Sequence, residues 1–302
     1  MPVRRYVYAR LSRWDFGVLR ILGAGLGNLL FPWARSMVLA RNAGLIPIFP
    51  AWPQLKLGPI FRRERDPRTY QDLFRPTSEY ICGIAKLRTL IRRRYPESMF
   101  PEVLPPESLI ECSGMEGFFA PIFCDHEYVL RKLVDICRDE HLAAWKQGVR
   151  NTIGIHVRLG DFNPAPPQSN ADQPVTNVRL PIEWYVHAMQ QIRRHCGPIQ
   201  AEVFSDGSDT ELAQLLRVRG VMRVNYGSSI SELLALSRCR ILVASGSTFS
   251  MWASYLGRMP AVWHPTRLVQ RLYGEDSPRE IPLALGDEMP ASFATCAQRG
   301  NR

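Results

Sequence analysis

Lysine is scarce in this chain. Only four of its 302 residues are lysine, so arginine carries nearly all of a net charge of +10. The arginines form no stripe with interleaved aromatic residues, so a nucleic-acid partner is not expected. They cluster only at Arg62-Arg63-Glu64-Arg65 and Arg92-Arg93-Arg94. Each cluster reads either as a solvated face or as a patch for anionic lipid headgroups or an acidic glycan. The seven cysteines are odd in number, include no C-x-x-C pair and lack metal-ligand spacing. That argues against a structural zinc site and for free thiols in a reducing compartment. No apolar run approaches the length of a membrane-spanning helix. Arg10, Arg13, Asp15 and Arg20 interrupt what would be the apolar core of a signal peptide. A cytoplasmic protein is expected, with peripheral contact at the inner membrane face as the further option. The sequence cannot set the oligomeric state.

The stretch Asn151-Thr-Ile-Gly-Ile-His-Val-Arg-Leu-Gly-Asp161 carries the most information. Ile153, Ile155 and Val157 alternate with Gly154, His156 and Arg158, the period of a strand. Gly160 and Asp161 end it. His156 and Arg158 then share a face at the carboxyl end of a strand, where open α/β sheets bind ligands. A guanidinium there suits phosphate oxygens. A structural His and an Arg paired with Asp161 is the equal alternative.

Earlier in the chain, Val18–Leu22 reads as a strand entering the glycine-rich turn Gly23-Ala-Gly-Leu-Gly-Asn28. A helix should follow, with Leu30, Trp33, Ala34, Met37 and Val38 on one face and Pro32 near its first turn. Ile46–Phe49 reads as the next strand. The turn could bring backbone close to a ligand, or its glycines could serve helix–strand packing alone. It lacks the Gly-Lys-Ser/Thr of a phosphate-binding loop, and no acidic residue closes the second strand as in a dinucleotide fold. Residues 50–110 show weak periodicity. Glu116-Gly-Phe-Phe-Ala-Pro-Ile-Phe123 is an aromatic segment before a helix expected over 126–147.

From Thr152 onward strands and helices alternate regularly. Strands are expected at 152–158, 201–205, 221–224, 241–245 and 261–263, and helices at 182–195, 209–218, 229–238 and 248–256. This predicts a parallel Rossmann-like sheet. Two α/β units suggest two facing domains with a cleft between them, divided as 1–148 and 149–302. The long polar loop from Leu159 to Leu180 reads as an acceptor loop or as disorder. Val203-Phe-Ser-Asp206 ends a strand in a carboxylate, and Asp209 is a candidate cap for the helix after it. Ser245-Gly-Ser247-Thr248-Phe249 closes another strand and opens a helix. Its free N–H groups could hold a phosphate, or its serines could simply cap.

Three segments together resemble the inverting α-1,2-fucosyltransferases of glycosyltransferase family 11: Gly25-Leu-Gly27-Asn28 with Phe31, His156-Val-Arg158-Leu-Gly-Asp161, and Ser247-Thr-Phe-Ser-Met-Trp252-Ala. They also resemble the wider group with α-1,6- and protein-O-fucosyltransferases. Gly117-Phe-Phe, Trp184-Tyr185, Val203-Phe-Ser-Asp206 and Glu232-Leu-Leu-Ala-Leu-Ser-Arg-Cys239 follow in the matching order. The resemblance spans about residues 20 to 265.

It implies a GT-B-like fold of two facing Rossmann-like domains. The N-terminal one would carry the glycine-rich loop and face the acceptor; the C-terminal one would hold the donor, GDP-fucose. Arg158 would bind the diphosphate and stabilise departing GDP, with His156 supporting the site. Ser247, Thr248 and Phe249 would line the diphosphate pocket with Asp206 close by, and Gly25, Gly27 and Asn28 would approach the diphosphate or fucose. No metal and no other cofactor is implied, since fixed positive charge and N–H dipoles can stabilise the leaving diphosphate. The acceptor would be a glycan hydroxyl, expected on galactose of a surface polysaccharide or lipid-linked oligosaccharide. Asp161 is the first candidate for general base, with Glu116 as the alternative. The sequence departs from the family pattern at Leu159, where a second arginine is usual, and at Leu29 and Ala120, where glutamine is usual. The same fold with another nucleotide-sugar donor, or a silent binding protein, are the competing readings.

Overall fold

The computed structural model describes residues 4–56, 68–100, 104–160, 162, 178–268 and 270–299. The chain forms two compact units, Met1–Leu142 and Ala143–Arg302. The division precedes the expected 148/149 boundary for a local reason. The helical turn Ala143–Lys146 packs against helix Ser229–Leu236 of the second unit. Arg238 seals the junction by lying 3.3 Å over the Trp145 ring.

The first unit contains β1 (Tyr6–Ala9), β2 (Trp14–Asp15), β3 (Arg20–Ile21), β4 (Ile46–Ile48), β5 (Gln54–Leu55), β6 (Arg94–Pro96) and β7 (Leu109–Cys112). Its main sheet is parallel, in the order β4-β1-β7-β6. The β-helix-β unit therefore starts at β1, not at Val18–Leu22. β3 belongs to a separate three-stranded sheet, β2-β3-β5. Helix Leu26–Ala43 follows, buried along most of its length, and stops at Gly44 in the left-handed conformation. Pro32 lies inside it, past the first turn. A proline there cannot donate to the helix ladder. Burial of Leu29, Leu30, Phe31, Trp33 and Met37 around it outweighs that loss, at about 2 kcal/mol per large side chain. Phe31 meets Phe118 and Phe119 at ring distances of 5.7 and 4.8 Å, which joins the glycine-rich segment to the aromatic one. The latter is a 3-10 turn, and its helix spans His126–Ile136 rather than reaching 147. Cys137 leaves that helix in extended conformation.

The second unit contains β8 (Arg150–Val157), β9 (Gln200–Ser205), β10 (Val221–Arg223), β11 (Cys239–Ala244), β12 (Ala261–Trp263) and β13 (Glu280–Pro282). All pair in parallel, in the order β10-β9-β8-β11-β12-β13. Counted within the unit this is 3-2-1-4-5-6, the doubly wound order. Ile153 to Val157 is buried on both faces, as a parallel sheet covered by helices requires. The helices are Ile182–Cys196, Ala213–Leu216, Ser229–Leu236, Thr248–Gly257 and Ala291–Arg299. The one expected over 209–218 is thus a short turn. Asp209 does not cap it; its carboxylate pairs with Arg223 instead. Ser208 and Glu211 form the local box: the Ser208 N–H donates to Glu211 Oε2 at 2.8 Å.

Candidate functional site

In a 3-2-1-4-5-6 sheet the chain reverses direction between strands 1 and 4, and a crevice opens at their carboxyl ends. Here those strands are β8 and β11. His156 lies at the end of β8 with Arg158 just past it, and β11 runs into Ser245-Gly246-Ser247-Thr248. Asp206 follows the end of β9, beside β8. The second unit therefore brings together six of the residues singled out in the sequence: His156, Arg158, Asp206, Ser247, Thr248 and Phe249.

His156 is buried, and its Nδ1 lies in a ring of hydroxyls: Ser250 Oγ at 2.7 Å, Ser245 Oγ at 3.0 Å and Ser247 Oγ at 3.4 Å. Ser250 Oγ accepts the Ser245 N–H at 3.1 Å, which leaves its own proton for the imidazole. Phe249 covers the ring at 4.9 Å. Burial, and then the charge of Arg158, lower the His156 pKa to about 3. The imidazole is neutral at physiological pH. It positions the Ser245–Ser250 turn and supplies no charge.

Arg158 pairs with Asp206 Oδ2, and the remaining oxygen, Oδ1, accepts the Leu159 N–H at 2.8 Å. One carboxylate thus clamps both the guanidinium and the turn that carries it. Gly160 makes the clamp possible, because a Cβ there would stand 2.6 Å from Asp206 Oδ2. The Arg158 guanidinium lies 5.8 Å over the Phe162 ring and keeps partial access to solvent. Leu159 turns the other way, into the core around Ile155, Trp184 and Leu212.

Ser247 caps helix Thr248–Gly257, its Oγ accepting the Ser250 N–H. Capping and ligand approach are compatible here, since one hydroxyl satisfies one of the four orphan N–H groups. Gly246 has φ +77, and a Cβ on it would strike Arg267 Cβ at 2.4 Å. Arg267 is a residue that sequence reading missed. It is buried just past β12, donates to Val178 O at 3.1 Å, and has an Nε with no hydrogen-bond partner. Among the described residues no carboxylate pairs with it. Burial lowers its pKa, and its charge depresses that of His264, whose own burial is the larger cause. In the sequence, only the glycine between two serines, read as room for a ligand, marked this place.

Gly25, Gly27 and Asn28 belong to the first unit. Gly25 is the N-cap of helix Leu26–Ala43 and makes no side-chain cap. A Cβ on Gly25 would meet nothing within 4 Å. The Leu26 N–H donates to the Tyr70 hydroxyl at 3.0 Å, and the Asn28 N–H to Gly25 O at 3.0 Å. Glu116 is an exposed carboxylate 3.7 Å from Arg35. Asp161 and most of the expected acceptor loop lie outside the described residues. Among the described residues no cluster of three or more His, Cys, Asp or Glu could hold a metal, and no helix is long and apolar enough to cross a membrane.

Residues 115–263, a little under half of the chain, match the model of glycosyl transferase family 11. The matched region contains the whole His156–Phe249 constellation. Among solved structures, the chain is similar to the NodZ α-1,6-fucosyltransferase soaked with GDP-fucose, at 15% identity and a TM-score of 0.50, over 87% of this chain and 96% of that one. The fucosyltransferase NodZ from Bradyrhizobium gives 15% identity and 0.50, over 86% and 95%. POFUT1 in complex with GDP-fucose gives 12% identity and 0.53, over 87% and 99%. These likenesses show the fold: α/β with parallel sheets, as in these GT-B-like fucosyltransferases. No curated protein matched the sequence.

Proposed function

We propose that the chain is an inverting fucosyltransferase of glycosyltransferase family 11. It moves fucose from GDP-fucose to a glycan hydroxyl, expected to be galactose in α-1,2 linkage, in surface polysaccharide or glycolipid synthesis at the inner membrane face. The observation that carries this reading is the switch point. Arg158 leaves β8 on one side, Ser245–Thr248 leaves β11 on the other, and both lie within the family-matched region. Arg158 meets the diphosphate and offsets the negative charge that grows as GDP departs. Asp206 holds Arg158 in place. The helix N–H groups at Thr248 and Phe249 add fixed dipoles. Gly25, Gly27 and Asn28 serve the donor from the first unit. The acceptor hydroxyl loses its proton to Asp161, with Glu116 as the alternative base. No metal or further cofactor is assigned a step.

One observation favours a second reading. Leu159 is packed in the core, so the usual second arginine is missing from this turn. A different nucleotide-sugar donor would fit that change. The test is GDP release and product formation with GDP-fucose over a panel of β-galactosides, followed by linkage analysis. The reading expects an α-1,2-fucosylated product and none from Arg158→Ala. Transfer from another nucleotide sugar alone would establish the second reading, and binding without transfer or hydrolysis would establish a silent binding protein.

A further inference from the structure

The sheet β2-β3-β5 is inside out. Its cross-strand neighbours are Trp14, Ile21 and Leu55 on one face and Asp15, Arg20 and Gln54 on the other. Residues directly opposite one another share a face. The buried face is the polar one. Arg20 is 0% exposed and donates to the carbonyls of Ala51 at 2.7 Å and Trp52 at 3.1 Å, while Gln54 donates to Arg68 O at 3.1 Å. The apolar face is turned out. Phe16, Val18, Leu19 and Leu22 extend it along the hairpin, with Phe16 57% exposed. Helix Gly83–Leu90 continues it, since Leu90 and Leu87 flank Gly17. Its Ile84 and Leu87, with Ile91 beyond, are exposed at helical spacing, Ile84 at 72% and Ile91 at 86%. Contiguous apolar surface of this kind marks an interaction site.

The charge around the patch decides the partner. Residues 82–94 contain no acidic side chain, and residues 13–22 contain only Asp15. Asp15 turns inward to the Tyr8 hydroxyl and the N–H groups of Leu11 and Gly17. Arg13 and Arg88 are exposed, and among the described residues neither pairs with a carboxylate. Arg13 lies 5.9 Å over the Trp14 ring. A second copy of this face would bring like charges together. Phospholipid headgroups offer the opposite charge above a hydrocarbon layer.

We propose that this face, built from Trp14, Phe16, Ile21, Leu55, Ile84 and Ile91 with Arg13 and Arg88, docks on an anionic bilayer. It gives the peripheral contact proposed above a specific surface. It also sets the glycine-rich turn, which begins right after Leu22, close to the lipid.

The test is flotation of the whole protein, without nucleotide, with vesicles of phosphatidylcholine alone or mixed with phosphatidylglycerol. The account expects binding to the anionic vesicles that weakens with salt. Trp14→Ser/Phe16→Ser/Ile84→Ser should reduce it roughly tenfold or more. Arg13→Gln/Arg88→Gln should remove the preference for the anionic lipid. Unchanged thermal melting of both variants excludes misfolding, as the replaced side chains are exposed. Absence of binding to anionic vesicles, or equal binding by the serine variant, would overturn the proposal. So would a dimer that the serine variant dissolves, which would assign the face to a second copy. Vesicle binding needs no nucleotide, so failure of the transferase reading would leave this result standing.

Discussion

Helices Thr248–Gly257 and Leu26–Ala43, one in each unit, both begin at glycine-containing turns, and they are built in opposite ways. Helix Thr248–Gly257 starts behind side chains: Ser247 caps it, and Ser245, Ser247 and Ser250 converge on a buried neutral imidazole. Helix Leu26–Ala43 starts without a cap from its own N-cap residue: there is open space over Gly25, and the distant Tyr70 hydroxyl takes the Leu26 N–H. The first arrangement is rigid because every hydroxyl has a neighbour. The second leaves open space over Gly25 alone, because Leu26 and Gly27 are buried. The C-terminal turn is thus fixed by its own side chains, while the N-terminal turn is open to backbone approach at Gly25.

The comparison breaks most sharply at Gly246. Gly246→Ala places a Cβ at φ +77 and 2.4 Å from Arg267 Cβ. We expect a loss of about 2 to 4 kcal/mol, read by thermal melting. Acid should distinguish the units next. An unfolded histidine titrates near 6.5, and His156 in the fold near 3. Between those values the unfolded chain takes up a proton that the folded chain refuses. Stability therefore falls as pH drops through that window and is unaffected above it. At pH 5 the loss from His156 is about 2 kcal/mol. Denaturant titrations over that range should show it, and His156→Asn should flatten the acid limb.

Arg267 sharpens the C-terminal half of the comparison. It is the described cation beside Gly246 that lacks a carboxylate, whereas Arg158 shares its charge with Asp206. Arg267→Gln should weaken GDP binding roughly tenfold and leave guanosine binding unchanged, as loss of one charge-assisted contact predicts. The smallest effect belongs to Gly25→Ser. At φ −71, with nothing within 4 Å, serine fits and can cap. It should stabilise the fold by a few tenths of a kcal/mol. Turnover should fall all the same if substrate touches that backbone.

The same contrast explains what the sequence disclosed. In the second unit the inner strands β8, β9, β11 and β12 are largely buried, and the expected spans lie within a residue or two of every strand but β13. The site residues sit at strand ends, where glycine and serine mark the breaks. Ser250 and Arg267 escaped notice because a helix turn and a distant strand carry them to the site. In the first unit, strands of two to four residues are too short to show a period. The inverted sheet misleads further. The apolar alternation of Trp14, Phe16 and Val18 looks like a core face and points outward. Tyr6–Ala9, the real first strand, lay hidden between arginines.

The central claim is that the switch point of the second unit holds a nucleoside diphosphate through Arg158. Calorimetric titration of the wild-type protein and Arg158→Ala with GDP, GDP-fucose, GDP-mannose and UDP-sugars tests it directly. The account predicts saturable binding of GDP and GDP-fucose that disappears in the variant. Absence of nucleotide binding by well-folded wild-type protein, or undiminished binding by Arg158→Ala, would contradict it.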